Sequence, residues 1–147
     1  INFMEFKICP DGSVGIILKK DKKYLMFRRL KKPEGWAGVA GHLDGDAPLD
    51  AAIKESKEEI GIDIQFKKLD FLFQKKIFPN SCWRGDYNSH EWIVYEYELV
   101  AGENPRINEP EKHANIGFFT AEEIKEKFAK EPHDPAWLNI FSKAGVI

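Results

Sequence analysis

The sequence predicts an α/β (α+β) fold in which a mixed β-sheet packs between helices. Three features support this: paired strand-like runs early in the chain, a strongly patterned helix near its middle, and two capped helices near its end. Strands and helices do not alternate regularly, so the sheet is expected to be mixed rather than purely parallel. The length of 147 residues fits a single domain covering residues 1–147.

The first part of the chain is expected to be rich in strands. A short apolar segment at residues 3–9 ends at a Pro-Asp-Gly turn. Two strand-like runs follow at residues 13–19 and 24–29, and the turn at residues 20–22 joins them into a predicted hairpin. Residues 36–43 are mostly small, and we expect them to be extended.

The clearest helix is predicted at residues 48–60. Pro48 suits the first helical turn, and Gly61 suits the position that ends a helix. The N-terminal cap is poor because Ala47 has no side-chain acceptor. At about 100° per residue, one helical sector suits packing and an adjacent sector is acidic. The packing sector comprises Leu49, Ala52, Ile53, Ser56 and Ile60, and the acidic sector comprises Glu55, Glu58 and Glu59.

The rest of the chain is expected to contain more strands. Residues 64–78 and 91–100 are strand-like and rich in aromatic residues, and a long loop at residues 79–90 separates them. A shorter strand is predicted at residues 116–119.

Two further helices are predicted from their capping signals. Thr120 and Glu123 have the spacing of a capping box, which begins a helix at residues 121–130. The Asp-Pro pair at residues 134–135 begins another helix, which ends near Gly145.

Composition argues against several kinds of partner and site. The 22 basic and 24 acidic residues give a formal net charge of -2, which provides no overall field to attract a nucleic acid polymer or a membrane. No apolar run has the length of a membrane span, and no signal peptide is visible. Cys9 and Cys82 have no CxxC spacing and are too few for a disulfide framework, which favours a reducing, cytoplasmic location. No zinc site is predicted, because the histidines are dispersed: they are His42, His90, His113 and His133.

The acidic sector of the predicted helix is unfavourable for stability. Glu55 and Glu59 form a like-charged i,i+4 pair, and Glu58 lies beside both. Glu59 is also near the negative end of the helix dipole. A divalent cation would account for this cluster of hard oxygen ligands. A solvated acidic face balanced by Lys54 and Lys57 is the simpler alternative.

The residues around this sector resemble a known motif. Residues 41–62 read GHLDGDAPLDAAIKESKEEIGI, which is similar to the Nudix box, Gly-x5-Glu-x7-Arg-Glu-U-x-Glu-Glu-x-Gly-U, where U is a bulky apolar residue. The spacing from Asp46 to Ile62 is intact within this 22-residue stretch. Trp36 and the glycine-rich turn into Gly41 also resemble the family's entry to the box.

The chain departs from the box at four places. The loop between Gly41 and Asp46 holds four residues rather than five, and Asp46 replaces Glu. Lys54 replaces Arg, which keeps the charge but loses the planar group that orients a carboxylate by two hydrogen bonds. Ser56 replaces an apolar residue.

The resemblance implies a Nudix-type α/β/α sandwich and a hydrolase that cuts a diphosphate linkage in a nucleoside diphosphate-X compound. It implies that Glu55, Glu58 and Glu59 hold Mg²⁺, for which Mn²⁺ can substitute. Gly41 would contact the substrate, Lys54 would orient Glu58, and a carboxylate would accept a proton from water. The partner is then a small nucleotide. Homodimers are common in the family.

Weaker signals lie outside the box. Glu109 and Glu111 belong to a Glu-Pro-Glu-Lys run, which resembles a run in family members that cleave nucleoside triphosphates. Either glutamate can therefore act as the base or reach the metal. The alternative is that the run is an exposed polar loop. Arg28 or Arg29 can contact phosphate, but only one of two adjacent strand residues can face the site. Trp83 in the long loop can stack on a base.

Several functions remain open at this point. Nucleoside triphosphates are the leading substrate class because of the Glu-Pro-Glu-Lys run, and ADP-ribose or a nucleotide sugar is second. Isopentenyl-diphosphate isomerase has a similar box but expects a catalytic cysteine, and Cys82 lies in a loop. A non-catalytic nucleotide sensor is the third class, although such a protein would have no need to retain all three glutamates.

Overall fold

The computed structural model describes residues 5–147, so residues 3 and 4 of the predicted apolar segment at residues 3–9 lie outside the described residues. Within this range the chain forms seven strands, three α-helices and one 3₁₀-helix. In chain order they are β1 (Ser13–Lys20), β2 (Lys23–Arg29), β3 (Gly35–Ala37), β4 (Val39–His42), α1 (Pro48–Ile60), the 3₁₀-helix (Phe66–Lys68), β5 (Asp70–Pro79), β6 (Ser89–Glu98), β7 (His113–Phe119), α2 (Ala121–Lys130) and α3 (Pro135–Lys143).

The strands form one mixed sheet. Its main path runs β3-β2-β1-β6-β5, with β4 added beside β1 and β7 beside β2. The β1–β6 pairing is parallel, while the other pairings of named strands are antiparallel. The prediction of a mixed sheet is confirmed.

Two apolar cores cover opposite faces of this sheet. On β1, Ile16 and Leu18 point into the core that contains Ala52 of α1, because side chains two residues apart share a face. Ile17 points to the other face, where it lies in the core that contains Trp137 of α3. The sheet therefore lies between α1 and the pair formed by α2 and α3, as expected for an α/β/α sandwich.

The ends of α1 follow the sequence signals. Ala47 provides no side-chain cap, and Pro48 occupies the first turn. Gly61 has φ 72°, a left-handed conformation that glycine adopts without steric cost. Its N–H donates to the Lys57 carbonyl at 3.1 Å, which satisfies an acceptor at the end of the helix. Ser56 is fully buried on the packing side.

The capping predictions for the last two helices are confirmed. The Glu123 N–H donates to Thr120 Oγ1 at 3.2 Å, and the Thr120 N–H donates back to Glu123 Oε1 at 3.0 Å. Asp134 accepts from the Ala136 N–H at 2.9 Å at the start of α3.

One strand prediction is wrong at its beginning. Residues 64–69 do not extend the strand, which starts at Asp70. The Lys68 N–H instead donates to the Gln65 carbonyl at 2.9 Å, so local hydrogen bonds form the 3₁₀-helix and replace pairing to a neighbouring strand.

No helix in residues 5–147 is both long enough and apolar enough to cross a membrane.

Candidate active site

A cavity of about 240 Å³ lies between the C-terminal half of α1, the end of β4 and the segment that leads into β7. The loop between β5 and β6 encloses its opposite side. The α1 residues Lys54, Glu55, Glu58 and Glu59 line it together with Gly41. The structure thus brings the predicted metal ligands and the glycine-containing turn to one site.

Glu55 packs directly against the backbone of Gly41. A Cβ atom at position 41 would lie 2.1 Å from the Glu55 carboxyl carbon, so no larger residue fits while Glu55 keeps this position. Gly41 is held in β4 by antiparallel pairing with Val14 of β1. Glycine is therefore needed here for close approach of a helix side chain to the strand.

Glu59 is enclosed rather than presented on an open acidic face, since only 5% of its surface is exposed. Its Oε1 accepts a hydrogen bond from the Ala40 N–H at 3.0 Å. Its Oε2 lies 3.3 Å from Nε2 of His113, which is itself buried. The expectation that α1 presents all three carboxylates beside its packing sector is wrong for Glu59, because β4 and β7 close over it.

The segment before β7 is anchored to the C-terminal end of α1. The Arg106 N–H donates to the carbonyl of the last α1 residue at 3.0 Å, and the Asn108 N–H donates to the Glu59 carbonyl at 3.2 Å. The Asn108 side-chain amide adds a bond to the Glu58 carbonyl at 3.0 Å. These donors satisfy carbonyls that a helix end leaves without partners. The next residue, Glu109, consequently lines the cavity.

Four carboxylates therefore meet at this end of the cavity: Glu55, Glu58, Glu59 and Glu109, here called the acidic cluster. Ligand atoms of Glu59, Glu109 and His113 lie within 4.8 Å of one another. Glu55 and Glu58 line the same cavity outside that close group. Burial, followed by the charges of Glu59 and Glu58, raises the pKa of Glu55 to about 8. Four clustered carboxylates offer hard oxygen donors, which fit a divalent cation such as Mg²⁺.

A family model described as NUDIX domain matches residues 10–139. The chain belongs to the NUDIX family. The resemblance found in residues 41–62 is confirmed, because the family match extends over nearly the whole chain.

Solved structures of other NUDIX proteins share this fold. A MutT NUDIX hydrolase from Burkholderia pseudomallei has a TM-score of 0.70 and 21% identity, covering 93% of this chain and 97% of that chain. A bifunctional NMN adenylyltransferase/ADP ribose pyrophosphatase from Francisella tularensis, complexed with AMP and a Mn ion, has a TM-score of 0.67 and 19% identity; the match covers 90% of this chain and 40% of that chain.

A curated relative matches a shorter segment. An RNA pyrophosphohydrolase from Ruthia magnifica subsp. Calyptogena magnifica is 33% identical over 55 residues, which are 37% of this chain. That segment spans 31% of the relative, so the likeness covers less than a third of its length.

Basic side chains surround the acidic cluster. Arg29 lines the cavity, whereas Arg28 on the other face of β2 donates to Asn115 Oδ1 at 3.0 Å outside it. Lys54 also lines the cavity, but within the described range the predicted ion pair between Lys54 and Glu58 is not formed. Lys54 acts instead on Glu55, where its charge opposes the rise in pKa.

The two glutamates of the Glu-Pro-Glu-Lys run lie in different environments, one in the cavity and one in solvent. Glu109 faces the cavity and pairs with Lys112 at 3.1 Å, while Glu111 is exposed and lies outside the cavity lining. The tight turn explains this split, because the Lys112 and His113 N–H groups both donate to the Glu109 carbonyl.

The β5–β6 loop forms a rim of the Nudix cavity. Trp83 lines the cavity with 57% of its surface exposed. Arg84 donates to both carboxylate oxygens of Asp44, at 2.6 and 2.9 Å, and to Asp11 at 3.2 Å. The Arg84 hydrogen bonds lower the pKa of Asp44 to about 2. The loop is thus tied to the turn that precedes α1.

The dispersed cysteines and histidines are also brought together. Cys9, His42, Cys82 and His90, here called the Cys–His cluster, have ligand atoms within 4.8 Å of one another. No zinc site was predicted because these residues are dispersed in sequence, but strand pairing brings their four segments together. Burial lowers the pKa of His42, and burial together with the neighbouring His42 ring lowers the pKa of His90 to about 4.

Sequence reasoning missed His113 as a site residue. His113 has no neighbouring histidine or cysteine in sequence, and only the β2–β7 pairing, which aligns it with Arg29, brings it near Glu59. The pairing of Arg84 with Asp44 spans 40 residues, so it was not predictable from local sequence either.

Proposed function

We propose that this Nudix hydrolase catalyses Mg²⁺-dependent hydrolysis of a diphosphate linkage in a nucleoside diphosphate-X substrate, with nucleoside triphosphates as the leading class. The observation that carries this proposal is the convergence of four carboxylates with Arg29, Lys54 and Lys112 on one cavity. An isolated acidic patch would bind a cation only, whereas these adjacent cations also suit the phosphate oxygens of a polyanionic substrate.

Glu55, Glu58 and Glu59 would hold the cation, with Glu109 and His113 beside Glu59. When bound, Mg²⁺ neutralises diphosphate oxygens and lowers the pKa of a coordinated water. The chain supplies orientation: the Ala40 N–H fixes one oxygen of Glu59, and His113 contacts the other. The oxygen atoms of Glu59 are therefore positioned before substrate arrives, which is the main contribution a protein makes to such a site.

Two carboxylates are candidates to accept the proton of the attacking water. Glu58 is exposed on α1 and lines the cavity, and Glu109 lines it from the opposite segment. A base must reach the water while the substrate is bound, and both residues line the cavity. Glu58→Gln and Glu109→Gln separate them, because loss of the base flattens the acidic limb of the pH–rate profile.

The substrate's phosphates would lie against Arg29, with Gly41 allowing close approach of the backbone. Trp83 offers an exposed ring on which a base can stack. The position of Trp83 on the rim supports a binding mode with the base near the cavity mouth and the polyphosphate toward α1. Glu109, from the run that resembles triphosphate-cleaving members, lies in the acidic cluster and supports nucleoside triphosphates over other substrates.

ADP-ribose is the second candidate. A fold relative with 19% identity is named as an ADP ribose pyrophosphatase, and a curated relative is named as an RNA pyrophosphohydrolase. Both names describe cleavage of a phosphoanhydride bond, which is the chemistry proposed here.

The test is turnover of metal-stripped protein with nucleoside triphosphates, ADP-ribose and nucleotide sugars, each with Mg²⁺ and with EDTA. Chromatography of the products identifies the bond that is cut. We expect Mg²⁺-dependent release of a nucleoside monophosphate or diphosphate from at least one triphosphate. Turnover of ADP-ribose alone would overturn the triphosphate assignment, and binding without turnover of any substrate would indicate a sensor.

A further inference from the structure

The Cys–His cluster has the composition of a soft-metal site. Three of its members are almost fully buried, with exposed fractions of 5% for Cys9, 1% for Cys82 and 4% for His90. His42 is half-buried, and its Nε2 lies 3.7 Å from the Cys82 sulfur. Two thiols and two imidazoles are a ligand set that zinc prefers over magnesium.

Backbone pairing holds the four residues in register. The Cys9 N–H donates to the Ser89 carbonyl at 3.0 Å, which places Cys9 beside the start of β6 and next to His90. His42 pairs with Ser13 on β1, and Ser13 pairs in turn with Trp92 on β6. The convergence therefore follows from the sheet itself and does not depend on one mobile side chain.

His90 is oriented as a metal ligand is expected to be. Its Nδ1 lies 2.6 Å from Oδ1 of Asn80, and because an amide oxygen only accepts, Nδ1 carries the proton. Nε2 is then the nitrogen with a free lone pair. The Asn80 amide is fixed by its own bond to buried Asp134 at 3.2 Å. Such hydrogen-bonded partners behind a histidine set its tautomer and ring orientation in metal sites.

We propose that the Cys–His cluster binds one Zn²⁺ ion through two thiolates and two imidazoles. Zn–S bonds of about 2.3 Å and Zn–N bonds of about 2.0 Å place neighbouring ligand atoms roughly 3.3–3.8 Å apart in a tetrahedron. The Cys82–His42 separation already lies in that range, and the other atoms, within 4.8 Å of one another, need only a small contraction. Each thiol releases its proton to solvent, so the two thiolates balance the charge of the ion.

The zinc ion has a structural role in this arrangement, since four protein ligands leave no open coordination position. It joins the segment before β1, the end of β4 and the β5–β6 loop. That loop carries Trp83 and Arg84 directly after Cys82. Zinc therefore fixes the rim of the catalytic cavity without entering the reaction, and it does so independently of the metal at the acidic cluster.

The experiment uses the full chain, reduced and metal-stripped under argon, and titrated with Co²⁺ as a spectroscopic probe for Zn²⁺. We expect one equivalent to produce a thiolate-to-cobalt charge-transfer band and the visible bands of a tetrahedral site, and one equivalent of Zn²⁺ to abolish both. Absence of the charge-transfer band in protein whose thiols are reduced would overturn the proposal.

Variants locate the site. Cys82→Ser and, separately, Cys9→Ser should each reduce the intensity of the charge-transfer band by about half, because one of two thiolates is lost, and should weaken Zn²⁺ binding by at least about a hundredfold. Glu58→Gln, in the acidic cluster, is the matched control and should leave the cobalt spectrum unchanged. Zn²⁺ affinity that is unchanged in both cysteine variants would place the metal elsewhere and contradict the proposal. Cys9 lies outside the cavity lining, so its variant serves if Cys82→Ser does not fold.

Discussion

The two ends of the cavity differ in both ligand chemistry and support. The acidic cluster consists of oxygen ligands, three of them on one helix, and is bordered by cations suited to phosphate. The Cys–His cluster consists of sulfur and nitrogen ligands from four separate segments. Hard oxygen ligands suit Mg²⁺, while thiolates and imidazoles suit Zn²⁺. The two clusters are therefore suited to different metals, the first to a catalytic ion and the second to a structural ion.

The difference in support matters for mechanism. Helix α1 ends at Gly61 and carries three of the carboxylates of the acidic cluster on one continuous element. The Cys–His cluster instead lies on loops and strand ends. A bound zinc ion would cross-link these segments and reduce their conformational freedom. We therefore expect changes at the acidic cluster to alter turnover, and changes at the Cys–His cluster to alter the stability and order of the cavity rim.

Glu59→Gln should have the largest effect. The amide keeps an oxygen to accept from Ala40 but removes a metal-binding charge, so we expect turnover to fall on the order of a hundredfold or more. Glu122→Gln on α2, where Glu122 is exposed and paired with Lys125, is the control and should match wild type. Wild-type turnover in Glu59→Gln would exclude Glu59 as a metal ligand.

His113→Phe should have the next largest effect. Phenylalanine keeps a ring packed against Phe27, where the ring centroids are 4.2 Å apart, but it removes the nitrogen that contacts Glu59. We expect the Mg²⁺ concentration for half-maximal turnover to rise about 10- to 100-fold, with a smaller change at saturating Mg²⁺. An unchanged Mg²⁺ requirement would show that His113 only fills space.

Glu55→Gln should stabilise the metal-free protein in a pH-dependent way. The folded-state pKa of Glu55 is raised to about 8, so its charged form is disfavoured by folding and stability is lost as pH rises from about 4.5 to about 8. Removing the charge should recover about 1–3 kcal/mol at pH 8.5 and almost nothing at pH 4. Thermal or urea unfolding in EDTA measures this, and an equal gain at both pH values would contradict the assigned cause.

Substitutions at Lys54 should have the smallest effects. Lys54→Met keeps the apolar stem and removes the charge that opposes the raised pKa of Glu55, so turnover should fall several-fold. Lys54→Arg should preserve or raise turnover, because helix propensities are similar and a guanidinium holds a carboxylate with two hydrogen bonds. Lys57→Met, on the same helix and paired with Asp63 at 3.2 Å, is the control. If the turnover of Lys54→Met equals that of wild type, Lys54 is only a solvated surface charge with no role in the site.

Local sequence signals predicted much of the fold and the helical part of the site. The helix ends are set by local interactions at Pro48, at Gly61 and between Thr120 and Glu123. Such interactions involve only neighbouring residues, so they can be predicted without knowledge of the tertiary structure. The acidic sector of α1 was readable for the same reason, because helical geometry alone relates Glu55 to its neighbours.

Contacts made by strand pairing were not predictable in this way. Glu59 is buried because β4 and β7 close over it, and His90 meets Cys9 only through the register of β6. Such pairings join residues dozens of positions apart, and periodicity contains no information about which strand lies beside which. The whole Cys–His cluster therefore became visible only in the folded chain.

The central claim is that the two ends of the cavity take different metals and that only the acidic end is catalytic. The most direct measurement is turnover of metal-stripped protein reloaded with one equivalent of Zn²⁺, before and after addition of Mg²⁺. We expect no turnover with Zn²⁺ alone and full turnover when Mg²⁺ is added, with the zinc retained. Full turnover with Zn²⁺ alone, or in EDTA without any added metal, would contradict this division.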